Sequence, residues 1–180
     1  MESMVNARLM WYLEYRDLSA PTMYGFHAGL STLDVLLRLR EDVFDPNSVH
    51  PRVVVAVDVR KALDRVPHST IMTKARALGI KGKMYNFIAG LLEWRSCQVE
   101  IGQDTSTVRT NYVGVLQGSV ISPTLFNKVV YQLSRRFSDV SGLKRAVYAD
   151  NVTVWTHQGA VGEQEDVLQV ALNIIHDYAV

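Results

Sequence analysis

Residues 145–155 have the sequence RAVYADNVTVW, in which two short segments, 145–149 and 152–155, flank Asp150 and Asn151. Each segment is too short for a typical helix and is rich in the β-branched and aromatic residues that favour strands. Because Asp and Asn tolerate turn conformations, this pair predicts a tight turn between two strands. The stretch therefore predicts a β-hairpin with an aspartate at its tip.

A second aspartate, Asp58, ends the apolar run VVVAV at residues 53–57, which predicts a strand buried on both faces. A carboxylate beside so much apolar surface is costly unless it is solvated, hydrogen-bonded or bound to a cation. If the two predicted strands are neighbours, Asp58 and Asp150 meet at one edge of the sheet, in an arrangement that suits Mg²⁺. For either aspartate alone, a simple turn cap is the better interpretation, since Asp is common in turns.

Helices and hairpins are grouped along the rest of the chain. Apolar spacing and capping signals predict helices that begin near Val5, after Ser31, near Ile71, near Met84, at Ser122 and near Glu163. The second of these begins with a capping box and carries four large apolar residues, Leu33, Leu36, Leu37 and Phe44. Segments 97–101 and 108–115 predict another hairpin. This grouping predicts an α+β fold with an antiparallel sheet.

The composition excludes several classes of protein. With 180 residues, 48% of them hydrophobic, the chain can bury a core as one domain or as a piece of one. The single cysteine, Cys97, excludes an internal disulfide and fits an intracellular location, in the cytoplasm or the nucleus. No apolar run approaches the roughly 20 residues of a membrane span. The net charge of +1 favours neither a nucleic-acid partner nor its absence, and no pattern indicates an oligomeric state.

Four segments occur in the order of the polymerase motifs of one enzyme family. They are YGFHAGLST at 24–32, VDVRKALDRVPH at 57–68, GVLQGSVISPTLFN at 114–127 and YADN at 148–151. The second, third and fourth resemble the first polymerase motif, the second motif and the catalytic hairpin of reverse transcriptases from non-LTR, LINE-like retrotransposons. The first is similar to a fingers motif of the same enzymes. The resemblance extends from Met4 to Tyr178, and four ordered motifs are far more specific than a lone Tyr-Ala-Asp.

The resemblance implies a right-hand polymerase. Residues 1–52 would form part of the fingers, and residues 53–180 a palm of antiparallel sheet flanked by helices, with the thumb absent. It also implies RNA-directed DNA synthesis, with an RNA template, a DNA primer and deoxynucleoside triphosphates as partners. Two Mg²⁺ ions are the implied cofactors, as in two-metal phosphoryl transfer.

The family's roles transfer to individual positions of this sequence. Asp58 and Asp150 would hold the metal ions with help from the backbone carbonyl of Val59. Gln117 would contact the incoming nucleotide or the template strand. Gly118 would let the protein backbone approach the nucleotide or the template strand closely, as only glycine can.

Several positions depart from the family pattern. Asn151 replaces the second aspartate of the catalytic hairpin, so a neutral amide replaces a charged ligand. Leu63 replaces the aromatic residue that excludes a 2′-hydroxyl, and His27 replaces an arginine that meets the triphosphate. Leu116 replaces a proline of the second motif, whereas Leu30 is either another lost arginine or a subfamily variant. Together these departures predict that polymerase activity is impaired or abolished in this chain.

Two other functions stay open. The chain could be a non-catalytic transposon relic or a nucleic-acid-binding module that keeps the fold without the chemistry. A metal-dependent nuclease could use the same acidic edge, but the second motif has no role in a nuclease. The balanced charge and the absent thumb predict weak binding of primer–template with a shallow dependence on salt.

Overall fold

The computed structural model of the protein describes residues 1–27, 29–44, 52–93, 95–156 and 159–179. The helices are α1 Glu2–Tyr15, α2 Thr32–Val43, α3 Ala62–Arg65, α4 His68–Ala77, α5 Gly82–Leu92, α6 Ser122–Arg136 and α7 Val161–Ala179. The strands are β1 Val54–Asp58, β2 Arg95–Cys97, β3 Glu100–Ile101, β4 Asp104–Thr105, β5 Arg109–Asn111, β6 Leu143–Tyr148 and β7 Asn151–Thr156. This combination of helices and antiparallel strands confirms the predicted α+β class.

The main sheet has the strand order β1-β7-β6, and both pairs are antiparallel. The predicted hairpin is therefore confirmed as β6 and β7, but its turn lies one residue earlier than expected. Ala149 and Asp150 form the turn, and Asn151 is the first residue of β7. Ala149 has a φ of 53°, because a two-residue hairpin loop that follows the strand twist needs a positive φ at its first position.

The prediction that β1 is buried on both faces is wrong. β1 is an edge strand, and Val54 remains 41% exposed. The buried strand is the central one, β7, in which Val152, Val154 and Trp155 are each at most 1% exposed. A run of β-branched residues predicts a strand, but the neighbours that cover it are set by strand order.

The capping box of α2 is confirmed, since Leu33 N–H donates to Ser31 Oγ and Ser31 N–H donates to Asp34 Oδ2 at 2.7 Å. The face of α2 that packs in unit 2 is not the face that its large apolar residues suggested. Leu33, Leu36, Leu37 and Phe44 are all exposed. A cluster of Tyr24, Ala146 and Trp155 instead contacts residues spaced four apart on α2, together with Leu30; these are Val35, Leu39 and Val43.

The other predicted elements are largely confirmed. α4 ends before Gly79, which has a φ of 79°, whereas the predicted end of α5 at Trp94 lies outside the described residues. The region of the second predicted hairpin forms two short ladders, β2–β5 and β3–β4. Leu125 and Leu133 are buried along α6, as their spacing predicts. None of the described helices has the length and apolar character that a membrane crossing needs.

The chain forms two compact units, each made of separate segments. Unit 1 comprises Met1–Arg16 and Lys61–Lys128, and unit 2 comprises Asp17–Arg60 and Val129–Val180. The main sheet, α2 and α7 belong to unit 2. Residues on both sides of position 52 share unit 2, because α2 packs on the sheet that includes β1. The prediction that residues 1–52 form part of the fingers and residues 53–180 form the palm stays a proposal.

We expect the polar contacts of Asp42 to stabilise the packing of α2 on the main sheet. Its Oδ2 accepts a hydrogen bond from Trp155 Nε1 at 3.0 Å, and its Oδ1 is 4.0 Å from Lys144 Nζ. We expect Asp42→Ala to lower the free energy of unfolding by about 1–3 kcal/mol, because a buried donor loses its acceptor. Asp42→Asn should cost less, because the amide oxygen still accepts.

Urea denaturation followed by circular dichroism measures these differences. The exposed neighbour Glu41 provides the control, and Glu41→Ala should stay within about 0.5 kcal/mol of the parent chain. Equal stability of Asp42→Ala and Glu41→Ala would contradict this role for Asp42.

Candidate active site

The candidate site lies in unit 2, where the end of β1 meets the turn between β6 and β7. Asp58 pairs with Asn151 in the β1–β7 ladder, and Val59 N–H donates to the carbonyl oxygen of Asp150 at 3.1 Å. The predicted neighbour relation of the two strands is therefore confirmed. The structure brings Asp58, Val59, Asp150 and Asn151 together at one edge of the sheet.

These side chains remain accessible to solvent. Asp58 and Asn151 are exposed, and Asp150 is half-buried. Within the described ranges, no group of three or more His, Cys, Asp or Glu side chains is placed to hold a metal ion. Two carboxylates with a nearby amide and carbonyl are hard oxygen donors, which fit Mg²⁺ when substrate phosphates and water complete its shell. They do not form an all-protein cage.

The turn that carries Asp150 is supported by the segment of residues 22–25, which runs along β6. Val147 N–H donates to Thr22 O at 2.9 Å, and Val147 O accepts from the N–H groups of Tyr24 and Gly25 at 2.8 and 3.4 Å. A Cβ on Gly25 would lie 2.4 Å from the backbone nitrogen of Ala149. Gly25 is part of a predicted motif, but the motif does not predict this contact, whose signal in the sequence is the glycine itself.

His27 lies two residues beyond Gly25 and is half-buried. Two residues span at most roughly 7 Å of extended chain, so His27 belongs to the same end of unit 2 as the turn. Phe26, between them, has a φ of 55°, a left-handed conformation that is unusual for a bulky residue. The loop that holds His27 is therefore tightly bent.

The remaining predicted site residues, Leu63, Gln117 and Gly118, belong to unit 1. Within that unit, Val115 N–H donates to Leu63 O at 2.8 Å, and Gln117 Nε2 donates to Asp64 Oδ1 at 2.8 Å. Gly118 has a φ of 93°, which a side chain would disfavour. Two predicted motifs thus contact each other here. Asp64 lies within the predicted first polymerase motif, but the motif does not predict that it is the partner of Gln117.

Helix α1 orders the segment that leads into α6. Glu2 Oε2 accepts hydrogen bonds from Ser119 Oγ at 2.8 Å and from Val120 N–H at 3.2 Å. Further along, Thr124 Oγ1 donates to Asn6 Oδ1 at 2.7 Å. Because these contacts fall on the predicted second motif, the first helix of the chain positions that motif.

A buried cation follows the second motif on α6. Lys128 is 9% exposed, and burial lowers the pKa of this lysine to about 8, although the negative charge of Glu14 opposes the shift. Near pH 8, Lys128 is therefore only partly charged. It contributes less positive charge to unit 1 than an exposed lysine does.

Comparison with known proteins identifies relatives across the whole length. A family model described as reverse transcriptase (RNA-dependent DNA polymerase) matches residues 1–179. The RNA-directed DNA polymerase from mobile element jockey of Drosophila funebris is 31% identical over 129 residues, which is 69% of this chain and 14% of that protein. The probable RNA-directed DNA polymerase from transposon BS of Drosophila melanogaster is 26% identical over 181 residues, 97% of this chain and 20% of that protein.

A third relative is the Pol polyprotein from type-1 retrotransposable element R2 of Popillia japonica. It is 37% identical over 86 residues, which cover 48% of this chain and 14% of that protein. The chain thus spans between 14% and 20% of the length of these three relatives.

Two solved structures of a telomerase from Candida tropicalis share the fold. One is in complex with a fragment of telomeric RNA, and the other is an apo form truncated from the C-terminal domain. Both have a TM-score of 0.71 at 14% identity, and they cover 98% and 99% of this chain against 32% and 38% of theirs. At this identity the likeness concerns the fold alone, and it confirms the predicted fold class.

Gly25→Ala should destabilise the protein, because the added Cβ would overlap the backbone of the turn at Ala149. We expect a loss of about 1–3 kcal/mol in the free energy of unfolding, the usual range for overpacking. The control is Gly162→Ala on α7, where a Cβ would meet nothing within 4 Å. Helix propensity predicts a neutral or stabilising change there. A Gly25→Ala variant as stable as Gly162→Ala in urea denaturation would refute the close contact.

Proposed function

The chain belongs to the reverse transcriptase (RNA-dependent DNA polymerase) family, and we propose that it supplies the polymerase site of a non-LTR retrotransposon's RNA-directed DNA polymerase. The reaction would extend a DNA primer on an RNA template with deoxynucleoside triphosphates. The activity of this chain is impaired by its own substitutions. The relatives are several times longer, so the activity of the whole protein is part of this proposal.

The observation that carries the proposal is the pairing of Asp58 with Asn151, next to the hydrogen bond from Val59 N–H to Asp150 O. This backbone pairing supports a shared site, because it joins the ends of the two strands that carry Asp58 and Asp150. Divalent cations bound there would supply activation of the primer 3′-hydroxyl and stabilisation of the leaving pyrophosphate. Asp58 and Asp150 would hold them, with the carbonyl of Val59 as a further oxygen donor.

Asn151 limits this site. Two divalent ions roughly 3.5–4 Å apart repel each other, so the charge of their ligands determines whether both stay bound. Asn151 provides an amide oxygen without a negative charge. The site therefore has two formal negative charges, and weaker metal binding is the physical reason for impaired catalysis.

The substrate positions are consistent with a nucleotide site that lacks some of its selectivity. Gln117 is held by Asp64, which restrains an amide that would contact the nucleotide or the template strand. Leu63 has less bulk than an aromatic residue and would exclude a 2′-hydroxyl poorly. His27 would meet the triphosphate with less positive charge than an arginine, since an ordinary imidazole is mostly neutral at pH 7.

The second candidate function is a non-catalytic relic or nucleic-acid-binding module, which Asn151 at the position of a metal ligand favours. Primer extension separates the two, because only an enzyme incorporates nucleotides on a primed RNA. Cleavage of labelled nucleic acid in the presence of metal would instead indicate a nuclease.

Asn151→Asp should restore metal binding. A unit charge added about 4 Å from a cation near a protein surface is worth several kcal/mol, so we expect the affinity for Mn²⁺ to rise at least about tenfold. Titration followed by electron paramagnetic resonance measures this affinity, and primer extension on a primed RNA should rise in parallel.

The matched control is Asn173→Asp, which adds the same charge at an exposed position of α7. It should leave the affinity for Mn²⁺ unchanged. If Asn151→Asp binds Mn²⁺ no better than Asn173→Asp, loss of metal binding is not the defect.

A further inference from the structure

The net charge of +1 conceals a separation of charge between the two units. Unit 1 contains eleven Lys and Arg residues and six Asp and Glu residues, a formal net charge of +5. Unit 2 contains eight Lys and Arg residues and twelve Asp and Glu residues, a formal net charge of −4. Residues 65–92 of unit 1 contain five Lys and Arg residues and no acidic residue.

Four of these five cations lie around the connection between α4 and α5. Lys74 and Arg76 are in the last turn of α4, Lys81 is the residue before α5, and Lys83 is in the first turn of α5. Ile80 is buried at 3% exposure and anchors the connection, whereas Arg76, Lys81 and Lys83 are exposed. We call Lys74, Arg76, Lys81 and Lys83 the α4–α5 basic surface.

The fold accounts for only part of this surface. Cations in the last turn of a helix are stabilised by the helix dipole, which explains Lys74 and Arg76. Lys81 and Lys83 lie at the opposite, positive end of α5, where the same dipole disfavours them and the first turn contains no acidic residue. In the part of the chain that the structure describes, Arg76, Lys81 and Lys83 form no ion pair with a carboxylate. Among the described residues, no carboxylate therefore offsets their mutual repulsion by an ion pair.

Arg76 is held in place while its charge stays exposed. Its guanidinium carbon lies 4.9 Å from the centroid of the Tyr85 ring on α5, a cation–π distance that joins the two helices. The planar guanidinium can donate two parallel hydrogen bonds to a phosphate. An oriented arginine beside two exposed lysines is an arrangement that fits several adjacent phosphates better than one small anion.

We propose that the α4–α5 basic surface binds the sugar–phosphate backbone of nucleic acid, through residues of unit 1 that are not among the predicted site residues. A duplex carries about one negative charge per 1.7 Å of its axis, so a surface with four cations can contact several phosphates at once. Contacts to phosphates alone give no base specificity, and the surface binds any sequence. The choice of nucleic acid as partner rests on the proposed function.

The test measures binding of a fluorescent RNA–DNA duplex by anisotropy, in EDTA and at several salt concentrations. EDTA removes divalent ions, so the result does not depend on the metal site or on the outcome for Asn151→Asp. We expect Lys81→Gln/Lys83→Gln to reduce the slope of log affinity against log salt by about 2, roughly one for each lost phosphate contact. The affinity near 50 mM salt should fall at least about tenfold.

The matched control is Arg38→Gln/Arg40→Gln, which removes two exposed cations from α2 in unit 2. It makes the same change in net charge and should leave the slope within about half a unit of the parent chain. The proposal is overturned if both double variants change the slope equally, if neither does, or if the parent chain shows no salt-dependent binding. Unchanged circular dichroism confirms that the variants are folded.

Discussion

The backbone hydrogen bonds between β1 and β7 are the constraint on which the candidate active site depends. They join Asp58 to Asn151, which are far apart in the sequence, and they bring Asp150 beside Val59. A slip of β1 by one residue would turn Asp58 to the opposite face of the sheet. The same slip would move Val55 and Val57, which are half-buried on the other face of β1, to the exposed face. The position of the acidic edge is thus set by the hydrophobic core.

Support for the turn that carries Asp150 comes from two contacts of very different kinds. Gly25 packs its backbone against Ala149, and Asp42 accepts a hydrogen bond from Trp155 further along the same hairpin. The contact of Gly25 depends on the absence of a side chain, whereas the hydrogen bond to Trp155 depends on the carboxylate of Asp42. Both contacts hold the described parts of this segment, residues 22–27 and 29–43, to the hairpin. The segment that carries His27 is therefore held to the strands that carry Asp150.

Opposite charges occupy different parts of the chain. The acidic excess lies in unit 2, with the carboxylates that suit divalent cations, and the basic excess lies in unit 1. A polymerase needs both properties, since cations must be held by negative charge and phosphates by positive charge. The net charge and the charge distribution therefore lead to different predictions. The net charge predicts a shallow salt dependence of nucleic-acid binding, whereas the α4–α5 basic surface predicts a steeper one.

The sequence by itself determined the hairpin at residues 145–155, the capping box at Ser31 and Asp34, and the motifs that indicate the family. These features depend on interactions between residues close together in the chain, so their patterns can be recognised locally. Tertiary structure alone decided that β1 is an edge strand, that the leucines of α2 are exposed, and that Gly25 contacts the turn. Burial and close backbone contact depend on which distant segments become neighbours, and no local pattern contains that information.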